Sequence, residues 1–126
     1  MKSAADAKRI LIVDDEPDIV LAVQTVLEDA GYQVASVDRG DRLMNQLSAG
    51  EVPDLIVLDM LLSGRDGREI ARELKAQPHT HQIPILMLSA HPAALREAHD
   101  AGADAFLAKP FELDDLLETV AKCLGR

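Results

Sequence analysis

Short apolar runs that each end in a polar residue are the feature that most constrains the fold of this chain. Four runs of three to six residues show the pattern, and the residues directly after them are Asp14 and Asp15, Asp59, Ser89, and Lys109. Runs without alternation are typical of strands that are buried on both faces, as in a parallel sheet. Because parallel strands end at one edge of their sheet, we expect these polar side chains to meet there. The sequence therefore predicts a reactive site of three carboxylates, a hydroxyl and an amine.

The acidic composition argues against nucleic acid as a partner. The chain has 126 residues, of which 22 are acidic and 13 basic, and its net charge is −9. Nucleic-acid binding depends chiefly on Lys and Arg side chains that neutralise phosphates, and the sequence has no basic cluster. The length is that of one domain. We therefore expect a single domain over residues 1–126, with its core near 8–124, no output domain and no direct contact with nucleic acid.

Cysteine content and hydropathy predict a cytoplasmic protein. Cys123 is the only cysteine, which excludes an internal disulfide and is typical of a reducing compartment. No apolar stretch approaches the roughly 20 residues of a transmembrane helix. Residues 1–7 are too polar to form a signal peptide.

Strand and helix patterns alternate five times along the chain. We expect strands near 9–13, 33–37, 54–58, 83–88 and 104–107, and helices near 16–30, 40–49, 66–76, 92–101 and 112–124. This alternation predicts right-handed crossovers onto a parallel sheet. We also expect Gly31 to end the first helix and Asp66 to cap the third. The fourth helix has Leu95 as its only large apolar residue, which predicts the least firmly packed helix.

The three carboxylates of the predicted site require a cation. Asp14, Asp15 and Asp59 would repel one another and raise each other's pKa values if they lay within a few Å. The ammonium of Lys109 and a hard divalent cation can offset that repulsion, and carboxylate oxygens suit Mg²⁺ better than zinc. A metal held there would attract a phosphoryl group, whose oxygens Ser89 and Lys109 can contact. Asp59 is then the natural nucleophile.

The chain resembles the response-regulator receiver domain of two-component signalling over essentially its whole length. The motifs that carry the resemblance are Val13-Asp14-Asp15-Glu16-Pro17, Asp59-Met60 leading to Asp66-Gly67, Ser89-Ala90, and Lys109-Pro110-Phe111. The resemblance implies an α/β, flavodoxin-like, doubly wound (βα)5 fold with a five-stranded parallel sheet of order 2-1-3-4-5. It also implies a signalling phosphoprotein that catalyses only its own phosphorylation and dephosphorylation.

The resemblance assigns a role to each site residue. Asp59 is the phosphoacceptor, which receives a phosphoryl group from a histidine kinase or a histidine phosphotransfer protein. Asp15, Asp59 and the carbonyl of Met60 hold Mg²⁺, and Asp14 acts largely through water. Lys109 pairs with Asp59 at rest and with the phosphoryl group afterwards.

The resemblance also implies a conformational switch. The hydroxyl of Ser89 moves to the phosphoryl group, and the aromatic ring of Phe106 turns into the space that the hydroxyl leaves. The Lys109–Pro110 bond is cis in typical members. The signalling face is helix 4, strand 5 and helix 5, on which a downstream protein docks or the phosphoryl group is relayed onward. Some members form a homodimer through the same face.

One position departs from the family, and two others bear on the lifetime of the phosphoryl group. Ser63 stands where the family commonly has proline. The resemblance also implies that Leu61 and His91 flank the path of an attacking water molecule. Leu61 cannot orient water, which predicts slow self-dephosphorylation, whereas His91 can position water or hydrogen-bond a phosphoryl oxygen.

Three other functions compete with this interpretation. A phosphatase with an Asp nucleophile and Mg²⁺ would need a second Asp two residues after the first-strand nucleophile, where this chain has Glu16 or Pro17. A flavodoxin-type carrier would need a phosphate-binding loop, and Asp14, Asp15 and Glu16 would repel that phosphate. A receiver-like scaffold that is never phosphorylated is disfavoured by the intact set of site residues.

Overall fold

Five parallel strands with helices on both faces make up the fold. The structure is a computed structural model that describes residues 7–62 and 65–125. The strands are β1 (Arg9–Val13), β2 (Gln33–Val37), β3 (Leu55–Asp59), β4 (Leu61–Leu62), β5 (Arg65–Asp66), β6 (Ile85–Ser89) and β7 (Ala105–Ala108). The helices are α1 (Pro17–Asp29), α2 (Gly40–Ser48), α3 (Gly67–Ala76), α4 (Leu95–Asp100) and α5 (Leu113–Cys123).

The order of the main sheet is β2-β1-β3-β6-β7, and every neighbouring pair is parallel. Since β6 and β7 are the fourth and fifth strands of this sheet, the predicted order 2-1-3-4-5 and the doubly wound α/β class are confirmed. The chain first winds outward from β1 to β2 and then crosses back to β3. The carboxyl ends of β1 and β3 therefore lie at the point where the winding direction changes, which is where such sheets form a crevice.

The central strands are buried on both faces because helices cover both. In β1, Ile10 and Ile12 pack with α1 and α5, whereas Leu11 and Val13 pack with α2, α3 and α4. The same division holds for β3 and β6. Successive side chains of a strand point to opposite faces, so a strand between two apolar layers needs apolar residues at every position. The continuous apolar runs of the sequence follow from this arrangement.

The edge strands differ from the prediction. The run Ala105–Leu107 lies in β7, whose four residues are all only partly buried, and β2 is largely exposed. The expectation that this run is buried on both faces was therefore wrong. A strand at the edge of a sheet lacks a neighbouring strand on one side, so more of its surface is open to solvent.

The helix ends follow local chemistry. Gly31 has φ +99° and follows Ala30, the C-cap residue of α1, and the Asp66 side chain accepts a hydrogen bond from the Arg68 N–H at the start of α3. The predicted fourth helix divides into a 3-10 turn over Pro92–Ala94 and α4 proper. Leu95 is 57% exposed, and this segment packs through three alanines, at 94, 98 and 101.

Within the described ranges, each helix is too short or too polar to cross a bilayer.

A small antiparallel hairpin between β3 and α3 was not predicted. It pairs Leu61 with Asp66 and Leu62 with Arg65. Ser63, the position where the family commonly has proline, lies outside the described residues together with Gly64. The hairpin places the exposed side chain of Leu61 immediately beyond the carboxyl end of β3.

Candidate functional site

Backbone hydrogen bonds hold the candidate site at the carboxyl edge of the sheet. The Asp14 N–H donates to the Val37 carbonyl at 3.2 Å, and the Lys109 N–H donates to the Ser89 carbonyl at 2.7 Å. In the same way, the Met60 N–H donates to the Leu88 carbonyl at 2.8 Å. The pairing of the strands thus continues into the polar residues. This continuation fixes the backbone of the site before any side chain interacts.

Three carboxylates meet at this edge, as the sequence predicts. Asp14, Asp15 and Asp59 each place a carboxylate oxygen within 4.8 Å of the other two. Asp14 and Asp59 are buried, and Asp15 is half-buried. Buried carboxylates without a compensating charge are costly, so the arrangement depends on a cation.

Lys109 supplies one cation and contacts three carboxylates. Its Nζ atom lies 2.8 Å from Glu16 Oε1, 3.2 Å from Asp14 Oδ2 and 3.4 Å from Asp59 Oδ1. The Lys109 side chain is 11% exposed, so solvent screens these interactions only weakly. The structure therefore places Lys109 beside Asp59, and it adds a contact with Glu16 that the sequence did not indicate.

The electrostatics of the site act most strongly on Asp59. The pKa of Asp59 is raised to about 6, chiefly by burial and secondly by the charge of Asp14. Lys109 opposes this rise by charge and by a hydrogen bond. A carboxyl with a pKa of about 6 is mostly ionised at neutral pH, and the ionised form is the nucleophilic form.

The two partners of Asp59 are perturbed by their surroundings as well. Burial raises the pKa of Asp14, although a backbone hydrogen bond from Glu16 and the charge of Lys109 oppose the rise. Burial alone would lower the pKa of Lys109, but the hydrogen bond to Glu16 and the charges of Asp59 and Asp14 outweigh it, so this pKa is raised. Lys109 is therefore held in the cationic form.

The donor set suits a hard divalent cation. Carboxylate oxygens are the ligands that Mg²⁺ prefers, and no sulfur or imidazole ligand belongs to this cluster of described residues. The Met60 carbonyl accepts a hydrogen bond from the Gly67 N–H at 2.8 Å. A carbonyl has two lone pairs, so this hydrogen bond leaves Met60 able to bind a cation.

The residues expected to act as a switch lie on β6 and β7, the two strands beyond β3 in the sheet. Ser89 is the last residue of β6 and is buried, and its Oγ accepts a hydrogen bond from the His91 N–H at 3.1 Å. Phe106 lies on β7 opposite Met87 and is partly buried against the core on the α4 side of the sheet. The Lys109–Pro110 bond is cis.

Leu61 and His91 line a groove that also includes Met60, the residue after Asp59. Arg68, Ala93, Ala94 and Glu97 complete the lining of this groove. Leu61 is 59% exposed, and His91 is exposed as well. The structure thus brings together the two residues that sequence reasoning placed on the path of attacking water.

Two residues of the site stand in the quoted motifs but received no role there from the sequence. Glu16 makes the shortest contact with Lys109, and only its position after Asp15 in the first motif could have indicated it. Gly67 has no room for a side chain, because an added Cβ would overlap the Asp59 carbonyl oxygen and lie 2.9 Å from Met60 Cα. Its position after Asp66 at the start of a helix was the only available signal.

The fold and the pocket together define a doubly wound α/β domain with an acidic, lysine-containing site at its topological switch point. A family model for the response regulator receiver domain matches residues 10–121. The chain therefore belongs to the receiver-domain family of two-component systems.

Individual relatives agree with this assignment. The chain is 41% identical over 123 residues to the DNA-binding dual master transcriptional regulator RpaA of Synechocystis, covering 94% of this chain and 49% of RpaA. It spans about half the length, or less, of the curated relatives that it matches.

Solved structures match the fold closely. A response regulator from Chloroflexus aurantiacus has a TM-score of 0.91 and 34% identity, with 96% of this chain and 100% of that chain covered. The receiver domain of a sensor histidine kinase from Pseudomonas aeruginosa, described with a magnesium ion coordinated in its active-site cleft, has a TM-score of 0.84 and 28% identity. That comparison covers 95% of this chain and 99% of the other.

Proposed function

We propose that this receiver domain accepts a phosphoryl group on Asp59 from the phosphohistidine of a kinase or a phosphotransfer protein. The observation that carries the proposal is the geometry around Lys109. Its ammonium lies 3.4 Å from the Asp59 carboxylate, in a pocket that also holds Asp14 and Asp15. A carboxylate that is ionised at neutral pH, next to a fixed cation, is equipped to attack phosphorus.

The chemical step is an in-line transfer between two side chains. An oxygen of the Asp59 carboxylate forms a bond to phosphorus, and the bond from phosphorus to the donor histidine breaks. The electron pair of that bond remains on the imidazole nitrogen, and the product is an acyl phosphate on Asp59. Lys109 stays protonated and stabilises charge on the phosphoryl oxygens, and the Ser89 hydroxyl donates to one of them.

Asp15, Asp59 and the Met60 carbonyl would hold Mg²⁺, with Asp14 acting largely through water. When bound, the ion neutralises negative charge on the phosphoryl oxygens. Support comes from the oxygen-only donor set and from the magnesium ion described for the Pseudomonas aeruginosa receiver.

The signalling surface that we propose consists of α4, β7 and α5. Phe106 lies on β7, and the flanking helices carry the exposed side chains of Leu95 and Leu113. A downstream protein, or a second copy of the domain, would dock on this surface after Phe106 moves. One receiver domain over residues 1–126, a cytoplasmic location and the absence of nucleic-acid contacts by the domain itself remain predictions.

The experiment that tests the proposal is intact-mass measurement after incubation with acetyl phosphate and Mg²⁺. We expect the unsubstituted protein to gain one phosphoryl group, and both Asp59→Asn and EDTA treatment to abolish the gain. Asp18→Asn is the control, since it removes an exposed carboxylate from the first turn of α1. If the protein forms a beryllofluoride complex but gains no mass with acetyl phosphate, its acyl phosphate is hydrolysed rapidly. If it neither gains mass nor forms the complex, it is a scaffold that is not phosphorylated.

Magnesium is expected to stabilise the fold through the same carboxylates. At a free Mg²⁺ concentration of about 100 times its dissociation constant, the free energy of unfolding should rise by about 2.7 kcal/mol. Asp15→Asn should remove most of this gain, whereas Asp18→Asn should keep it. Urea unfolding with Mg²⁺ and with EDTA measures the difference. Equal stabilisation of the two variants would contradict the assignment of Asp15 as a ligand.

Leu61 is expected to prolong the life of the acyl phosphate. Leu61→Asn supplies a polar side chain at the mouth of the site that can orient water, so hydrolysis should accelerate by about threefold or more. Loss of the phosphoryl group with time, followed by intact mass, gives the rate. Leu95→Asn is the matched control, because Leu95 is 57% exposed but lies outside this groove. An unchanged half-life in Leu61→Asn would refute the role of Leu61.

A further inference from the structure

Glu16 makes the closest contact with the site lysine. Its Oε1 atom accepts a hydrogen bond from Lys109 Nζ at 2.8 Å, whereas Asp14 Oδ2 accepts at 3.2 Å and Asp59 Oδ1 lies 3.4 Å away. The Glu16 side chain is 57% exposed, while those of Asp14 and Asp59 are almost completely buried. The lysine is therefore drawn toward the most exposed of its three carboxylates.

The local backbone fixes Glu16 in this position. Glu16 is the N-cap residue of α1, and Pro17 follows it at the first helical position. The Glu16 N–H donates to Asp14 Oδ1 at 2.9 Å, so one oxygen of Asp14 holds the Glu16 backbone while the other contacts Lys109. A proline restricts the backbone of the residue before it, so Pro17 limits the directions in which the Glu16 side chain can leave the chain.

Two of the carboxylates that Lys109 contacts also belong to the cluster that would hold a divalent cation. Asp14 and Asp59 both contact Lys109, and both belong to the carboxylate cluster. An ammonium that settled fully between these two carboxylates would neutralise them and weaken their attraction for a metal. Glu16 offers the ammonium a third acceptor on the solvent side of the pocket.

We propose that Glu16 is a positioning residue that holds Lys109 at the mouth of the pocket and so leaves Asp14 and Asp59 available for Mg²⁺. This inference rests on the proposed function, because it concerns the same metal and the same lysine. Without Glu16, the ammonium shifts onto Asp14 and Asp59. Mg²⁺ then has to displace the lysine before it binds.

The test compares the Mg²⁺ affinity of Glu16→Ala with that of the unsubstituted protein by isothermal titration calorimetry. The same comparison is then made in proteins that carry Lys109→Met. We expect Glu16→Ala to weaken Mg²⁺ binding about tenfold when Lys109 is present. In the Lys109→Met background, the same substitution should weaken binding by about threefold at most, since only the loss of one negative charge remains. Asp18→Ala is the matched control for charge, because it removes an acidic residue from the first turn of α1.

The outcomes separate the inference from the function on which it rests. If Glu16→Ala weakened Mg²⁺ binding by the same factor with Lys109 and with Lys109→Met, Glu16 would act only through its negative charge. That result would overturn the positioning role but not the proposed function. An effect no larger than that of Asp18→Ala would do the same. If the unsubstituted protein bound no Mg²⁺, the metal-dependent function would fall, and the inference with it. Circular dichroism of each variant establishes that the fold is retained, as expected for an exposed side chain.

Discussion

Asp59→Asn is expected to make the protein more stable at neutral pH, by about 1–3 kcal/mol in the free energy of unfolding. The reason is that the Asp59 carboxylate is buried next to Asp14, which raises its pKa to about 6. Ionised Asp59 therefore destabilises the folded state. Asparagine has no charge to bury, and its amide can still accept a hydrogen bond from Lys109 and donate one to Asp14.

The effect should depend on pH in a defined direction. The folded-state pKa of Asp59 is about 6, above the value of 3.8 that applies to an unperturbed Asp. Between these two values the folded protein binds more protons than the unfolded chain, so the stability of the unsubstituted protein falls as pH rises through this window. The advantage of Asp59→Asn should be small below pH 4, grow up to about pH 6 to 7 and then level off.

Urea unfolding of Asp59→Asn and of the unsubstituted protein from pH 4 to pH 8, in EDTA, measures this difference. Asp18→Asn is the control for net charge, because the chain carries a net charge of −9 and any lost carboxylate reduces general repulsion. A gain in Asp59→Asn that does not change with pH, or that equals the gain of Asp18→Asn, would contradict the explanation. Lower stability of Asp59→Asn at pH 7.5 would contradict it outright.

Gly67→Ala is expected to destabilise the fold and to damage the site at the same time. An added Cβ would overlap the Asp59 carbonyl oxygen and lie 3.0 Å from the Met60 carbonyl oxygen. These are backbone atoms of the segment that carries the phosphoacceptor, so relief of the overlap requires that segment or the start of α3 to move. We expect a loss of about 2–4 kcal/mol in the free energy of unfolding and slower phosphorylation by acetyl phosphate.

Gly40→Ala is the matched control for this prediction. Gly40 is the first residue of α2, as Gly67 is of α3, and both are buried. A Cβ at Gly40 would lie 2.5 Å from Ile70 Cδ1, which is the far end of a side chain and not a backbone atom. The loss in Gly40→Ala should therefore be clearly smaller, and phosphorylation should continue at a nearly normal rate. Equal losses in the two variants would show that backbone overlap at the site is not the cause.

Much of the fold was predictable because the pattern of apolar residues repeats the pattern of burial. The runs Ile10–Val13 and Leu55–Leu58 became central strands because each of their faces meets a layer of helices. The run Ala105–Leu107 is also apolar throughout but lies at the sheet edge, where it is only partly buried. Composition alone does not distinguish an edge strand from a central one, since the difference is made by neighbours that are distant in sequence.

Local sequence was a weaker guide where packing decides the outcome. Leu95 is the largest apolar residue of its helix, yet it is exposed, and three small alanines face the core instead. The space between α4 and the sheet selects small side chains there, and a leucine in the wrong helical register points to solvent. The hairpin of β4 and β5 escaped prediction because strands of two residues leave almost no periodic signal.

Five of the site residues could be named from the sequence alone. Asp14, Asp15, Asp59, Ser89 and Lys109 end or follow strands of one parallel sheet, and the strands of such a sheet end at the same edge. How these groups share charge depends on the tertiary structure. Burial raised the pKa of Asp59 more than the neighbouring carboxylate did, and Glu16 became the nearest acceptor of the lysine. Spacing along a chain sets where a side chain begins, whereas its charge state depends on the solvent it loses and the partners it meets.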